Sequence, residues 1–268
     1  TGYRNVAIGT TALFTNITGY ENTAVGTNSL FYATSFRNIG LGYGSGWNIT
    51  TGTNNIFIGY LSGGERGRLG TQALTGNYNT CVGDRTGFVL TSGLDNTLLG
   101  RDAGVSLESG NSNTVVGGSS LTACVSGASN VVVGDGALAL YTGSNTVAVG
   151  ASALASQVSG TLCTAVGYQS LRLATAAGNT GLGYQAGNAI TSGTNNTIVG
   201  SSAGGVATGS QNCVFGRAAT TGTATDFSVA IGDGASTSGD RAIAIGLGTT
   251  AGLNGIAIGA GATAAART

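Results

Sequence analysis

The sequence predicts an all-β fold, a parallel β-roll or β-solenoid of about 16 coils, each roughly 16–17 residues long and shorter toward the C-terminus. Three observations predict it. A five-residue phrase of the form N-T-A-V-G recurs sixteen times, ending at Gly9, Gly26, Gly42, Gly59, Gly83, Gly100, Gly117, Gly134, Gly150, Gly167, Gly183, Gly200, Gly216, Gly232, Gly246 and Gly259. Successive phrases lie roughly 16–17 residues apart almost throughout, falling to 14 and 13 at the end, and a period that short is one coil of a stack, not a domain. Finally, the three residues before each Gly are apolar or β-branched, as a short strand requires.

The strand comes first. One residue before the Gly (position −1) every coil carries a large apolar residue, such as Ile8, Val25, Leu41 or Phe215. Position −3 is always β-branched or Cys, as in Val6, Thr23, Ile39 and Cys213. Residues two apart share a face of an extended chain, so these columns read as the core of the roll. On that reading Val116 points inward and Val116→Asp buries a charge. Position −2 faces the other way and is also apolar in every coil, from Ala7 and Phe57 to Ala257. Strands apolar on both faces belong to sheets covered on both sides. A thin coil has nothing of its own to cover the second face, so position −2 is expected to meet another copy of the chain.

The turns follow. Position −4 is Asn in eleven coils, a residue suited to turns and able to form amide ladders along a stack. The repeating Gly suits a corner with positive φ. Position +3 is Ala, Ser or Thr, allowing a tight bend; position +4, usually Leu or Gly, is expected to start a second, less regular strand. Each coil then has two strands and two turns. The long interval from Gly59 to Gly83 stands out. It reads as two abbreviated coils or as one coil with a loop insertion over 60–82, holding Glu65, Arg66 and Arg68, the densest charge in the chain. The repeat runs unbroken, so residues 1–268 are expected to form one domain, with the shorter coils at 226–268. Sixteen coils at about 4.8 Å each predict a rod on the order of 75 Å long. The chain starts inside a repeat phrase without an initiator Met, so it is read as part of something longer.

Composition narrows the function. The chain has 50 Gly, no Pro, no Met, no His, ten basic residues (all Arg) and ten acidic ones. Zero net charge and 7% charged residues argue against a nucleic-acid partner, which demands a concentrated basic face. No segment approaches the ~20 apolar residues of a membrane span, so no membrane insertion by this segment is expected. Without His, the common Ser-His-Asp and Cys-His nucleophiles are excluded. The G-S-S-A-G match at 200–204 and the G-x-G-x-x-A matches at 246–251 and 259–264 are coil corners, not catalytic or phosphate-binding loops. Asp84, Asp102, Asp135 and Asp233 sit near Arg85, Arg101 and Arg217 as solvated surface pairs. The G-G-x-G-x-D nonapeptide of calcium-binding rolls is missing, so no metal and no cofactor is expected. Cys81, Cys124, Cys163 and Cys213 occupy different places in the coil and read as small buried residues rather than a disulfide framework. The sequons at Asn16, Asn48 and Asn195 are expected by chance in a chain this rich in Asn and Thr.

Tyr43, Tyr60, Tyr168 and Tyr184 each directly follow a corner Gly. They predict two half-exposed patches, as coil-edge cover or as candidate surface-binding residues, since Tyr serves sugar stacking and protein contact.

The columns resemble known families. S-V-A-I-G-D-G-A-S at 228–236, A-I-A-I-G-L-G-T-T at 242–250 and G-I-A-I-G-A-G-A-T at 255–263 are similar to head repeats of YadA-type trimeric autotransporter adhesins. N-T-A-V-G-T-N-S-L at 22–30 and N-I-F-I-G-Y-L-S-G at 55–63 resemble the N-T-x-x-G-Y-x-A-G repeats of phage and giant-virus tail fibre proteins. Both resemblances imply a homotrimer of left-handed parallel β-rolls joined at a hydrophobic seam, with no catalytic residues. The coil of this chain is longer than the adhesin one, and the anchor, stalk and chaperone of those families are not in this sequence. The expected function is a non-enzymatic, extracellular fibre segment. It is the shaft or head of a trimeric viral fibre at a virion surface that attaches to a host glycan or protein receptor, or the head of a bacterial surface adhesin.

Overall fold

The computed structural model describes residues 2–64, 73–205 and 207–267. Among these residues it is a parallel β-solenoid without helix. The chain divides into two compact units: Thr1–Gly136 with Thr142–Ser144, and Ala137–Tyr141 with Asn145–Thr268. In the first unit the strands are β1 (Val6–Ile8), β2 (Thr23–Val25), β3 (Ile39–Leu41), β4 (Ile56–Ile58), β5 (Thr80–Val82), β6 (Thr97–Leu99), β7 (Thr114–Val116) and β8 (Val131–Val133). Each is the three residues before a corner Gly, and each pairs in parallel with the next so that like positions meet, as in Val6↔Thr23 and Ile39↔Ile56. The second unit continues the pattern with β9 (Val147–Val149), β10 (Thr164–Val166), β11 (Thr180–Leu182), β12 (Thr197–Val199), β13 (Cys213–Phe215) and β14 (Val229–Ile231). In its last coils β15 (Ser236–Thr237), β17 (Thr250–Ala251) and β19 (Thr263–Ala264) form a second small sheet beside β16 (Ile243–Ile245) and β18 (Ile256–Ile258).

The faces are the reverse of the sequence expectation. Position −2 is the core: Ala24, Phe57, Cys81, Leu98, Val115, Val132, Ala148, Ile198 and Val214 are fully buried within the chain. Positions −3 and −1 point outward and are half-buried or exposed, with Leu99 43%, Val131 40% and Phe215 55% exposed. Val116 is therefore an outward residue. A strand apolar on both sides does not reveal which side faces in; the rest of the coil decides, because residues beyond the corner fold back over position −2.

That return path also departs from expectation. Among the described residues the second strand exists only in the last coils. Elsewhere the chain after the Gly runs through consecutive turns with left-handed residues at +2 and +4, such as Asn28 (φ 60) and Leu30 (φ 49). Left-handed backbone costs a residue like Leu roughly 1–2 kcal/mol. Burial offsets it: Leu30, Leu121, Leu138, Leu154 and Leu171 are fully buried, each contributing about 1.5–3 kcal/mol. The same turns place position +7 inside, where Ile49, Leu90, Leu107, Cys124 and Ile190 are buried, and in the long coil Leu74 is buried too and bridges Ile49.

Core volume is shared between positions −2 and +4. Where +4 is Leu, −2 is mostly small: Ala24 with Leu30, Ala148 with Leu154, Ala165 with Leu171. Where +4 is Gly, −2 is larger: Phe57 with Gly63, Leu98 with Gly104, Ile198 with Gly204. A Cβ on Gly63 would overlap the Phe57 ring. Two coils carry Gly at both places. The pair Gly40 and Gly46 makes room for Leu30 from the coil before, and Gly46 lies against Phe57 of the coil after; Gly181 and Gly187 do the same for Leu171 and Ile198.

The Asn column forms the expected ladder, and it is buried. Asn22, Asn38, Asn55, Asn79, Asn96 and Asn113 are inaccessible to solvent. Each Oδ1 accepts the backbone N–H of the next Asn, as Asn113 Oδ1 accepts Asn130 N–H at 3.1 Å. Each Nδ2 donates to a carbonyl of the following coil, as Asn113 Nδ2 does to Gly127 O at 2.9 Å. In the second unit the ladder runs Asn179, Asn196, Asn212 and ends on Ser228, whose N–H donates to Asn212 Oδ1 at 2.9 Å. Where −4 is Thr146 or Cys163, a longer polar residue at +7 fills in. The Tyr141 hydroxyl meets Thr146 Oγ1 at 2.8 Å, and Gln157 Nε2 donates to Gly160 O and to Ala176 O.

The Gly59–Gly83 interval is one coil, because β4 pairs directly with β5 and Leu74 bridges Ile49. Glu65, Arg66 and Arg68 lie outside the described residues.

Two outcomes check this core. Phe57→Ala is expected to lose about 3–5 kcal/mol in urea unfolding, and Gly63→Leu added to it should recover a large part by restoring the Ala/Leu pairing; a double variant no more stable than Phe57→Ala alone would refute the volume exchange. Asn113→Ala strips partners from Asn130 N–H and Gly127 O and is expected to cost about 2 kcal/mol or more, whereas Ser109→Ala, at an exposed position away from the sheet, should cost less than about 0.5 kcal/mol in the same measurement.

Candidate functional site

The fold displays an outer face of the parallel sheet. Each three-residue strand places two residues on it, and they are Val, Ile, Leu, Thr, Phe or Cys. In the first unit Thr80, Thr97 and Thr114 stack beside Val82, Leu99 and Val116. In the second, Thr164, Thr180 and Thr197 stack beside Val166, Leu182 and Val199. Neither a charged side chain nor an amide interrupts these columns. Contiguous exposed apolar surface of this kind marks an interaction site, whereas a solvated sheet face alternates to polar residues.

Beside the sheet stand the four tyrosines. Tyr43 and Tyr60 stack with ring centroids 5.4 Å apart and 15° between planes; Tyr168 and Tyr184 stack at 5.5 Å and 18°. The sequence pairs them correctly. Each inner ring face is covered by its partner, so each pair presents its outer faces, ring edges and hydroxyls. Tyr60, Tyr168 and Tyr184 are about half exposed.

The sequence reading missed two aromatic stacks in the first three coils. Tyr3, Tyr20 and Phe36 stack at 4.9 and 4.8 Å. Phe14, Phe31 and Trp47 stack at 5.0 and 5.0 Å. The signal was present, since both sets recur at the coil spacing (positions −6 and +5), but in later coils the −6 column holds no aromatic residue and the +5 column only Phe88. On the first stack Arg4 lies 5.6 Å from the Tyr3 ring and Arg37 lies 5.7 Å from the Phe36 ring. Glu21 bridges them, at 3.2 Å from Arg4 and 2.9 Å from Arg37. The Arg37 guanidinium, and then that of Arg4, holds the Glu21 carboxyl below its ordinary value.

Two of the four acidic residues near the corners, Asp102 and Asp233, form ion pairs. Arg85 meets Asp102 at 2.7 Å and Arg217 meets Asp233 at 2.7 Å. The second pair is solvated, as the sequence predicts. The Asp102 side chain is only 12% exposed, so that carboxylate is more enclosed than expected. Among the described residues no three His, Cys, Asp or Glu side chains converge as a metal site would require, and no helix is long and apolar enough to cross a membrane.

Cys81, Cys124 and Cys163 are buried free thiols, and Cys213 is a half-exposed free thiol on the outer sheet face. Three of the four thus match the expected buried role; Cys213 does not, because position −3 faces out. Burial pushes the Cys81 thiol up to about 12 and raises those of Cys124 and Cys163.

No protein-family model matches the chain, and no curated protein matches its sequence.

Because thiolate is the reactive form, a maleimide at neutral pH is expected to label Cys213 in a folded monomeric chain, where the outer sheet face is open to solvent, and to leave Cys81 unmodified for hours. Mass mapping that finds Cys81 labelled as fast as Cys213 would contradict the inward placement of position −2.

Proposed function

We propose that this chain is a structural and adhesive fibre segment, the shaft or head of a homotrimeric fibre on a virion that attaches to a host surface. The observation that carries the reading is the outer sheet face. Its −1 column is apolar in every coil and repeats at one spacing, and a second copy of the same chain has the matching spacing by construction. Three copies side by side, parallel and in register, bring like positions together and remove the −1 and −3 columns from water. Burial of apolar area stabilises such a seam at about 25 cal/mol per Å², and a stable interface buries about 1,200–2,000 Å² in total. The same argument moves the seam from position −2, where the sequence reading put it, to positions −1 and −3.

The resemblance to tail fibre repeats supports the viral reading for most of the chain. The shortened A-I-A-I-G coils, which carry the second strand, support the alternative of a bacterial trimeric surface-adhesin head. In either setting the chain is extracellular and non-enzymatic, and its receptor is a host glycan or protein.

Sedimentation tests the assembly. The wild-type chain should run at three times its 26.0 kDa mass. Val116→Asp and Val166→Asp together should give a monomer with an unchanged circular dichroism spectrum, because both are outward. Val115→Asp should instead unfold the chain by burying an unpaired charge. A wild-type chain that stays monomeric at micromolar concentration would end the proposal.

A further inference from the structure

We propose that the step where the coil shortens, in the second unit, is a binding site for a neutral saccharide ring. The corner residues Gly216 and Gly232 stand a full coil apart, whereas the next intervals, to Gly246 and then to Gly259, are shorter by two and three positions. The residues lost lie between positions +6 and −6, so Thr223 and Ala224 overhang the smaller coils and a cavity of about 640 Å³ opens beneath them. That volume suits a sugar, since small-molecule sites run from about 300 to 1,000 Å³.

The step breaks a hydrogen-bond pattern. In the coil above, the Ala207 and Thr208 N–H groups donate downward to Thr223 O at 3.1 and 2.9 Å. The equivalent N–H groups of Thr223 and Ala224 have no coil beneath them and enter no hydrogen bond among the described residues. In the wall of the cavity the hydroxyls of Thr221 and Thr237 are buried without a partner among those residues. Those two hydroxyls have no solvent-accessible surface and sit behind the lining, so the donors that the step offers from outside are the N–H groups of the exposed Thr223 and Ala224.

The lining chooses the ligand. Hydroxyl and backbone groups dominate, Asp240 contributes a carboxylate, Leu253 an apolar surface, and no basic side chain is among the lining residues. Asp240 Oδ1 is held by Asp226 N–H at 3.0 Å, which leaves Oδ2 to accept. A saccharide matches this set: its hydroxyl protons go to Asp240, its oxygens accept from the Thr223 and Ala224 N–H groups, and its C–H face rests on Leu253. An anionic sugar meets Asp240 without a compensating cation. A metal ion lacks the three convergent ligands it needs among the described residues.

The proposal deepens the attachment reading and rests on it only for the source of the sugar. Saturation-transfer NMR on the full 268-residue chain tests it, with methyl α-D-glucopyranoside, methyl β-D-galactopyranoside and N-acetylglucosamine as probes and N-acetylneuraminic acid as the anionic contrast. At least one neutral probe should receive saturation and the anionic one should not. Asp240→Asn keeps the acceptor for Asp226 N–H, so it should fold normally and weaken binding at least threefold. Ser238→Trp, at an exposed position on the step, should fill the cavity and abolish the signal. Equal melting temperatures would show that neither variant acts through unfolding. No transfer from any neutral probe, or transfer undiminished in both variants, overturns the site. The readout does not depend on trimer formation, so a failed assembly test and a failed sugar test are separate results.

Discussion

A coil of this chain cannot satisfy its own backbone. The strand N–H groups donate to the next coil, as Val6 N–H does to Asn22 O at 2.9 Å and Ile56 N–H does to Asn79 O at 2.8 Å. Buried backbone groups without partners cost as much as lost hydrogen bonds, so coil-to-coil register is the constraint on which the rest depends. It forces like positions to stack and thereby turns each sequence column into a physical column. The corner Gly shows how tight the stacking is. At Gly26 φ is 131°, and an added Cβ would sit 2.5 Å from Gly42 O, so no L side chain fits there.

Register makes substitutions cooperative along the column rather than within a coil. The buried Asn ladder is the clearest case. Each amide is donor and acceptor at once, which is what a one-dimensional chain of identical groups requires. Where the chain abandons Asn, at Thr146 and Cys163, it recruits Tyr141 or Gln157 from another position of the same coil. The apolar core behaves alike. Large residues at −2 are matched by Gly at +4, and a coil with Gly at both places houses the side chains of its neighbours. Close packing leaves few voids, so volume removed in one column reappears in another.

The outer sheet face follows from the same geometry. Positions −1 and −3 must alternate with the core position −2, and in this chain they carry neither charge nor amide. On the reading proposed above, a fibre of several copies takes these residues out of water. The step in unit two is the opposite case, a place where the coil beneath is shorter and the Thr223 and Ala224 N–H groups enter no hydrogen bond among the described residues.

The period, the parallel pairing in register, the corner Gly and the Asn ladder could all be read from the sequence alone. They are local or strictly repeated, and a repeat that short admits few other arrangements. The pairing of Tyr43 with Tyr60 and of Tyr168 with Tyr184 was legible for the same reason. Tertiary structure alone decided which face of the strand is inside. Alternation identifies a face only when one side is polar, and here Leu98 and Leu99 are equally apolar although one is buried and the other exposed. Tertiary structure also decided that Leu at +4 enters the core through a left-handed turn rather than a strand. No local preference predicts that conformation for Leu; it exists because burying the side chain outweighs the backbone strain, and that balance appears only once the coil has closed.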